Sequence, residues 1–315
     1  MPPLDGATRW INSTPLDANA LRGKVVVVDF WTYTCINWMR TAPYVRTWAR
    51  KYKDAGLVVI GVHSPEFSFE QDPARVRRLA AAMDIDYPVA IDSRQAIWRA
   101  FHNQYWPALY LVDAQGRIRH RQFGEGDYDK AEAVLQSLLK EAGARDLDNA
   151  IAPVVGTGSE AEADWANLKT PETYTGYART ERFGSPGGIV RAERHVYTAP
   201  SRLRGNHWAL VGDWTVMDEA ARSNTGSARV RYRFHARDVH LVMGAATDAP
   251  VRIRVTIDGK PPGAAHGMDI DADGAGIVSE YRMYQLIRQP APIEDREIEI
   301  LFYDRGVELF AFTFG

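Results

Sequence analysis

The chemistry indicated by this 315-residue sequence centres on Cys35, its only cysteine. Cys35 lies in the segment FWTYTCINWMR, which follows a run of β-branched residues and precedes a stretch of apolar residues at helical spacing. Unpaired backbone N–H groups and the helix dipole stabilise a thiolate at the start of a helix. The sequence therefore predicts that Cys35 is an activated nucleophile.

The spacing around Cys35 is that of a redox-active C-x-x-C pair in which Trp38 replaces the second thiol. Thiol–disulfide exchange begins when a thiolate attacks a disulfide and forms a mixed disulfide. In a dithiol enzyme the second cysteine resolves this intermediate within the same molecule, and Trp38 cannot do so. Monothiol chemistry remains: a mixed disulfide released by an external thiol such as glutathione, or a sulfenic acid reduced from outside.

Alternating strands and helices are predicted to position Cys35. Residues 24–30 and 56–63 have the continuous apolar pattern of buried strands, with a helix from Cys35 to about residue 53 between them. Asp72 as N-cap and Pro73 at the first helical position begin a second helix. Further strands are predicted at 87–92, 108–113 and 118–123, and further helices at 93–102 and 129–143. The pattern indicates an α/β domain with an antiparallel edge.

The composition changes after about residue 145. Residues 146–170 are rich in Ala, Gly, Asp, Ser and Glu, which predicts a linker. From 171 to 315 the periodicity is that of β-strands, in segments such as RVRYRFHA, VRIRVTI and VELFAFTFG. The sequence thus predicts an α/β domain over 1–145, a linker over 146–170 and a β-sandwich over 171–315.

Several segments together resemble the thioredoxin-like TlpA/DipZ group. In the first half these are GKVVVVDFWTYTCIN, VIGVHSPEFSFE, YWPALYLVDAQG and FGEGDYD. In the second half TPETY, LRGNHWALVGDW, YRFHARDVHLVMG and FAFTFG resemble the domain that follows the thioredoxin module in DipZ-type proteins. The resemblance implies a thioredoxin-like α/β fold followed by an all-β sandwich similar to jelly-roll carbohydrate-binding modules. The sequence departs from the group in two ways: it lacks the membrane electron-transfer part of DipZ, and Trp38 replaces a cysteine.

The resemblance also implies supporting roles for residues near Cys35. Asp29 matches the buried acid of thioredoxins, which would accept a proton or raise the pKa of the thiol by like charge. Pro107 matches the cis proline that faces the cysteine in this fold and presents backbone groups to an extended partner. Trp38 and Trp106 are expected to shape the cleft beside it.

Two threonines complete the predicted site. Thr32 lies three residues before Cys35, at the T-x-x-C spacing of peroxiredoxins, in which the hydroxyl helps to orient peroxide. Thr34 directly precedes Cys35 in a loop that keeps the residues expected on the substrate side. These features favour a thiol protein that forms mixed disulfides or is oxidised.

A second hypothesis keeps the fold without the reaction. A single buried cysteine behaves as a small hydrophobic side chain, and Trp38 could pack over Cys35 and close the site. The chain would then be a non-catalytic binding protein whose β-sandwich recognises a protein or a glycan. Four aromatic residues of that domain are candidates for a sugar-stacking platform, although aromatic residues at strand spacing also fill sandwich cores. They are Trp208, Trp214, Tyr232 and Tyr284.

Composition limits the expected partners and location. The net charge of −2 gives no reason to expect nucleic acid, and no apolar run has the length of a membrane span. The histidines lack the spacing of paired metal ligands, so no metal site is expected. No cofactor is expected either, and glutathione is a candidate co-substrate. The expected partner is a thiol- or disulfide-bearing protein or a low-molecular-weight thiol. The first residues lack the pattern of a secretory signal, which predicts a cytoplasmic location, or an extracytoplasmic one if the sequence is truncated.

Overall fold

A six-stranded sheet forms the centre of the first unit of the chain, Met1–Ala161. The computed structural model describes residues 1–145, 147–247 and 249–315. The strands are β1 Arg9–Ile11, β2 Val25–Trp31, β3 Leu57–His63, β4 Val89–Ile91, β5 Ala108–Val112 and β6 Ile118–Phe123. Their order is β1-β4-β3-β2-β5-β6. The β2, β3 and β4 strands are parallel, whereas β1, β5 and β6 join their neighbours in antiparallel fashion.

Helices cover this sheet. They are α1 Ile36–Lys51, α2 Pro73–Ala82, α3 Ala96–Ala100 and α4 Tyr128–Glu141, with a 3-10 turn at Ser68–Gln71. All seven residues of β2 are buried, as expected for a central strand of a sheet covered on both faces. The start of α2 is the predicted one, because the Asp72 side chain accepts a hydrogen bond from the Ala74 N–H (2.9 Å) and Pro73 is the first helical residue.

Strand register brings several strand ends to one edge of the sheet. Trp31 and His63, the last residues of β2 and β3, are parallel partners. Phe30 lies opposite Ala108, the first residue of β5, in the antiparallel pair. The loops that follow β2 and β3 and the segment that enters β5 therefore lie at the same edge.

Hydrogen bonds and an ion pair attach part of the predicted linker to the first unit. The Glu132 carboxylate accepts hydrogen bonds from the Ala152 N–H (3.2 and 3.1 Å), and Arg46 pairs with Glu160 (2.8 Å). The division between the units follows Ala161, within the predicted range 146–170. Asp146, the first residue of that range, lies outside the described residues. The first unit thus extends beyond residue 145.

The second unit, Glu162–Gly315, is an antiparallel β-sandwich. Its strands are β7 Thr173–Tyr174, β8 Arg194–Tyr197, β9 Trp208–Val216, β10 Ala221–Ser223, β11 Ala228–Phe234, β12 Asp238–Ala245, β13 Val251–Ile257, β14 Ala275–Val278, β15 Arg282–Arg288, β16 Arg296–Phe302 and β17 Val307–Phe314. One layer contains β14, β13, β16 and β11, and the other contains β10, β17, β12 and β15. The α/β fold followed by an all-β sandwich is the predicted architecture.

One strand, β9, belongs to both layers of the sandwich. Its first half pairs with β11, and its second half pairs with β10 and β8. The change of partner occurs at Gly212, whose φ of +93° lies in a region that residues with a side chain rarely adopt. A Cβ at this position would also approach the Ala228 Cα to 3.3 Å. Gly212 therefore allows the chain to turn from one layer into the other.

The aromatic residues proposed as a sugar-stacking platform lie in the core of the sandwich. Trp208, Trp214, Tyr232 and Tyr284 are completely buried among the aliphatic residues of both layers. The indole N–H groups of the two tryptophans donate to the backbone carbonyls of Glu181 and Val211. The platform prediction is wrong for these residues, because their side chains point between the two layers and none presents a face to solvent.

Candidate active site

Cys35 is the N-cap residue of α1. Its backbone is extended (φ −75°, ψ 111°), its N–H donates to the Thr32 carbonyl (3.3 Å), and its carbonyl accepts from the Met39 N–H (3.0 Å). The side chain is partly exposed, and the first turn of α1 contains no acidic residue. The positive end of a 16-residue helix therefore acts on the thiol of a partly exposed residue.

Trp38 does not cover Cys35. It is completely buried, and its ring stacks on Trp31 with a centroid separation of 4.3 Å. Its indole N–H donates to the Oδ2 atom of Asp29 at 3.0 Å. Because Cys35 is partly exposed, the hypothesis that Trp38 seals the thiol is wrong, whereas its role in shaping the cleft stays a prediction. The residue in the place of a second thiol is a core residue hydrogen-bonded to the buried acid.

Asp29 lies in the middle of the sheet on β2 and is completely buried. Burial raises the pKa of its carboxyl from 3.8 to about 7, although the hydrogen bond from Trp38 and the nearby Tyr87 hydroxyl oppose the rise. The sequence predicted the acid and its burial. It did not predict that an indole N–H would bind the carboxylate, and it missed Tyr87.

A buried carboxylate that the sequence analysis did not select joins the Cys35 loop to the loop after β3. The Thr34 hydroxyl donates to Oε1 of Glu70 (2.5 Å), and the N–H groups of Glu66 and Phe67 donate to Oε2 (2.6 and 3.0 Å). Burial raises the pKa of Glu70 to about 7. The only signal for Glu70 in the sequence was its place in the family-like segment VIGVHSPEFSFE.

Thr32 is completely buried and faces His63. Its hydroxyl lies 3.5 Å from the Nε2 atom of His63, whose ring is flanked by Trp31 and Tyr33. Burial lowers the pKa of His63 to about 3, so this imidazole is neutral near pH 7. Because Thr32 has no solvent-accessible surface, the prediction that its hydroxyl orients a peroxide is not supported by its position.

Trp106 and Pro107 lie at the same edge of the sheet as Cys35. The peptide bond between them is cis. Trp106 is half-buried, packs on Trp98 with a ring separation of 4.2 Å, and donates its indole N–H to the Ser64 carbonyl (3.0 Å). The Pro107 carbonyl accepts from the Gly124 N–H (2.9 Å). Ring packing and a hydrogen bond therefore hold Trp106 in place at this edge of the sheet.

A buried ion pair joins α1 to the loop between β6 and α4. Arg40 lies 3.0 Å from Glu125, and their side chains are only 3% and 6% exposed. Glu125 lies in the family-like segment FGEGDYD, in the loop before α4. Its partner is a helix residue distant in sequence, and the ion pair fixes this loop relative to the helix that starts after Cys35.

The described part of the chain contains no metal-binding cluster and no helix suited to crossing a membrane. Over residues 1–145, 147–247 and 249–315, no group of three or more His, Cys, Asp or Glu side chains is placed to hold a metal ion. Among the helices of these same ranges, none has the length and apolar character needed to cross a membrane.

Cys35 at the start of α1 and Pro107 at the start of β5 lie at the same edge of the sheet. A Redoxin family model matches residues 11–137, and a model described as thioredoxin like C-terminal domain matches residues 170–315. YkuV of Bacillus subtilis, named a thiol-disulfide oxidoreductase, is 33% identical over 141 residues, which are 45% of this chain and 95% of YkuV. The chain therefore belongs to the redoxin family of thioredoxin-like proteins.

The similarity to one relative extends over both units. DipZ of Mycobacterium tuberculosis is 40% identical over 317 residues, which cover 100% of this chain and 42% of DipZ. This chain thus spans less than half the length of that relative. A solution structure of a thioredoxin-like protein in its oxidised form is 34% identical, with a TM-score of 0.42, and covers 45% of this chain and 95% of that chain.

Proposed function

We propose that the chain is a monothiol member of its family, in which Cys35 exchanges with disulfides of a partner protein or of a low-molecular-weight thiol. One observation carries the proposal: Cys35 is partly exposed at the start of α1, whereas Trp38 is turned into the core and bound to Asp29. Cys35 thus keeps the position of the nucleophile, and Trp38 occupies the position of the resolving cysteine. The name of YkuV, a thiol-disulfide oxidoreductase, supports the same class of reaction.

The reaction consists of two exchanges. The Cys35 thiolate attacks one sulfur of a disulfide R–S–S–R′, forms the bond Cys35–S–S–R and releases R′–S⁻. An external thiolate R″–S⁻ then attacks the R sulfur, forms R–S–S–R″ and restores the Cys35 thiolate. No net oxidation of the chain occurs, because one disulfide is consumed and one is formed. Glutathione is a suitable external thiol and a candidate co-substrate.

Disulfide exchange is favoured over reduction of peroxide. Peroxide chemistry would convert Cys35 into a sulfenic acid and would gain from a hydroxyl directed at the incoming oxygen. Thr32, the residue at the corresponding spacing, is completely buried against His63. Pro107, in contrast, lies at the same sheet edge as Cys35, where backbone groups of the segment entering β5 can meet an extended partner.

The test is formation and release of a glutathione adduct on the native protein. Reduced protein is incubated with oxidised glutathione and examined by intact-protein mass spectrometry, with Cys35→Ser as the matched control. We expect one adduct on the wild-type chain and none on the control. The adduct should persist after excess reagent is removed, and it should disappear at a rate proportional to added thiol.

A second variant tests the part played by Trp38. Trp38→Cys places a thiol at the C-x-x-C spacing, so its adduct should be short-lived and should decay to an internal disulfide without added thiol. Circular dichroism establishes whether this variant is folded. If native wild-type protein forms no adduct although denatured protein does, Cys35 is not a working nucleophile, and the non-catalytic binding hypothesis replaces the proposal.

A further inference from the structure

The buried carboxylate of Glu70 binds the loop that precedes Cys35. We infer that Glu70 is a positioning residue for the Cys35 thiol: by holding Thr34 against the loop after β3, it fixes how α1 presents the nucleophile. This inference rests on the proposed function and deepens it, because it identifies a group that acts on the thiol through Thr34.

The geometry supports this role at three points of contact. Glu70 lies in the 3-10 turn Ser68–Gln71 and is completely buried. One carboxylate oxygen accepts from the Thr34 hydroxyl, and the other accepts from two backbone N–H groups of its own loop. Thr34 is joined by a peptide bond to Cys35, whose N–H is hydrogen-bonded to Thr32. A shift of Glu70 is therefore transmitted directly to the N-cap of α1.

The charge of Glu70 is expected to change under conditions in which the thiol works. Burial is the main reason that the pKa of Glu70 is raised to about 7, and the Thr32 and Thr34 hydroxyls oppose the rise. Protonation of the carboxyl would remove one of its acceptor positions, so the contact with Thr34 should differ between the two charge states. The presentation of Cys35 should consequently depend on pH in the neutral range.

Other groups near Glu70 also carry or exchange charge. The negative charge of Glu66 acts to raise its pKa further. The Tyr33 phenol lies on the facing loop, and burial and the charge of Glu70 raise the pKa of Tyr33 far above its usual value. Groups that act on Tyr33 or on the Thr32 hydroxyl are Arg75, Asp72 and the neutral His63. Glu70 is hydrogen-bonded directly to Thr34, the residue before Cys35.

The experiment measures the rate of Cys35 alkylation by iodoacetamide from about pH 5 to about pH 9, a range that includes both carboxyl and thiol ionisation. We expect two inflections in the wild-type profile, one from Glu70 and one from the thiol. Glu70→Gln should remove the lower inflection and change the rate near neutral pH by about fivefold, the effect of losing one typical hydrogen bond. Thr34→Val should reproduce this change, whereas Thr34→Ser, which keeps the hydroxyl, should retain the wild-type profile.

Asp29→Asn distinguishes Glu70 from Asp29, a second buried acid whose pKa is raised to about 7. A lower inflection that persists in Glu70→Gln and disappears in Asp29→Asn would assign the effect to Asp29 and overturn the inference. Identical profiles for wild type and Thr34→Val would also overturn it, even if Glu70→Gln failed to fold. A normal glutathione adduct with an unchanged profile would refute only the role of Glu70, whereas a wild-type thiol that resists alkylation would refute the proposed function as well.

Discussion

Replacing Asp29 with asparagine should stabilise the first unit at neutral and alkaline pH and leave it almost unchanged in acid. Asparagine has the same shape as aspartate and keeps a carbonyl oxygen for the Trp38 indole N–H. It cannot ionise, however. Asp29→Asn therefore isolates the free energy of holding a charge at this completely buried position.

The magnitude follows from the raised pKa of Asp29. The folded protein keeps the Asp29 proton up to about pH 7, whereas the unfolded chain releases it near pH 3.8. The folded state thus binds more protons between these values, and the free energy of unfolding falls as pH rises. At about 1.4 kcal/mol per pKa unit, a shift of roughly three units costs the wild-type protein about 4 kcal/mol above pH 7. The asparagine variant avoids this loss.

Urea unfolding followed by tryptophan fluorescence at several pH values checks this reasoning. The difference in unfolding free energy between Asp29→Asn and wild type should be close to zero at low pH, rise through the acid range, and level off above neutrality. Contributions of Glu70 and of the second unit are common to both proteins and cancel in the difference. Asp54→Asn, which removes an exposed carboxylate, is the control and should show no such rise. A difference that is independent of pH would refute the argument that burial raises this pKa.

Three further substitutions test contacts elsewhere. Trp38→Phe keeps an aromatic ring but removes the donor to Asp29, and we expect a loss of about 2 kcal/mol in urea unfolding at neutral pH. Arg40→Met should cost about 3–5 kcal/mol in thermal unfolding because it leaves Glu125 buried without this guanidinium, and the double variant with Glu125→Gln should recover most of the loss. Gly212→Ala should destabilise the second unit by about 1–3 kcal/mol through backbone strain while the Cys35 alkylation rate stays at its wild-type value. An unchanged unfolding midpoint in any of the three would contradict the contact concerned.

The sequence was sufficient where local rules decide the structure. The run from Val25 to Trp31 begins with four valines and is apolar except for Asp29, which is typical of a buried strand. Asp72 and Pro73 start a helix through chemistry confined to neighbouring residues. The position of Cys35 at the beginning of α1 follows from the same type of signal, because the strand, the loop and the helical spacing are contiguous.

The sequence was insufficient where the direction of a side chain depends on contacts with residues distant in the chain. A tryptophan three residues after Cys35 can point towards the thiol or into the core, and the direction depends on Asp29, which lies on a different element. Glu70 gained its role from a threonine 36 positions earlier in the chain. Period-two spacing assigns Trp208 to one face of β9 and Tyr232 to one face of β11, but it does not state whether these faces are the inner ones. Such contacts need the assembled fold.

The strand shared by both layers of the sandwich has a consequence for how the second unit opens. Because β9 donates and accepts hydrogen bonds in one layer before Gly212 and in the other after it, neither layer can separate while β9 stays intact. The two layers are thereby linked into one cooperative folding unit. Amide protons of β9 on either side of Gly212 should be among the slowest in the unit to exchange with solvent, since their release requires the whole sandwich to open.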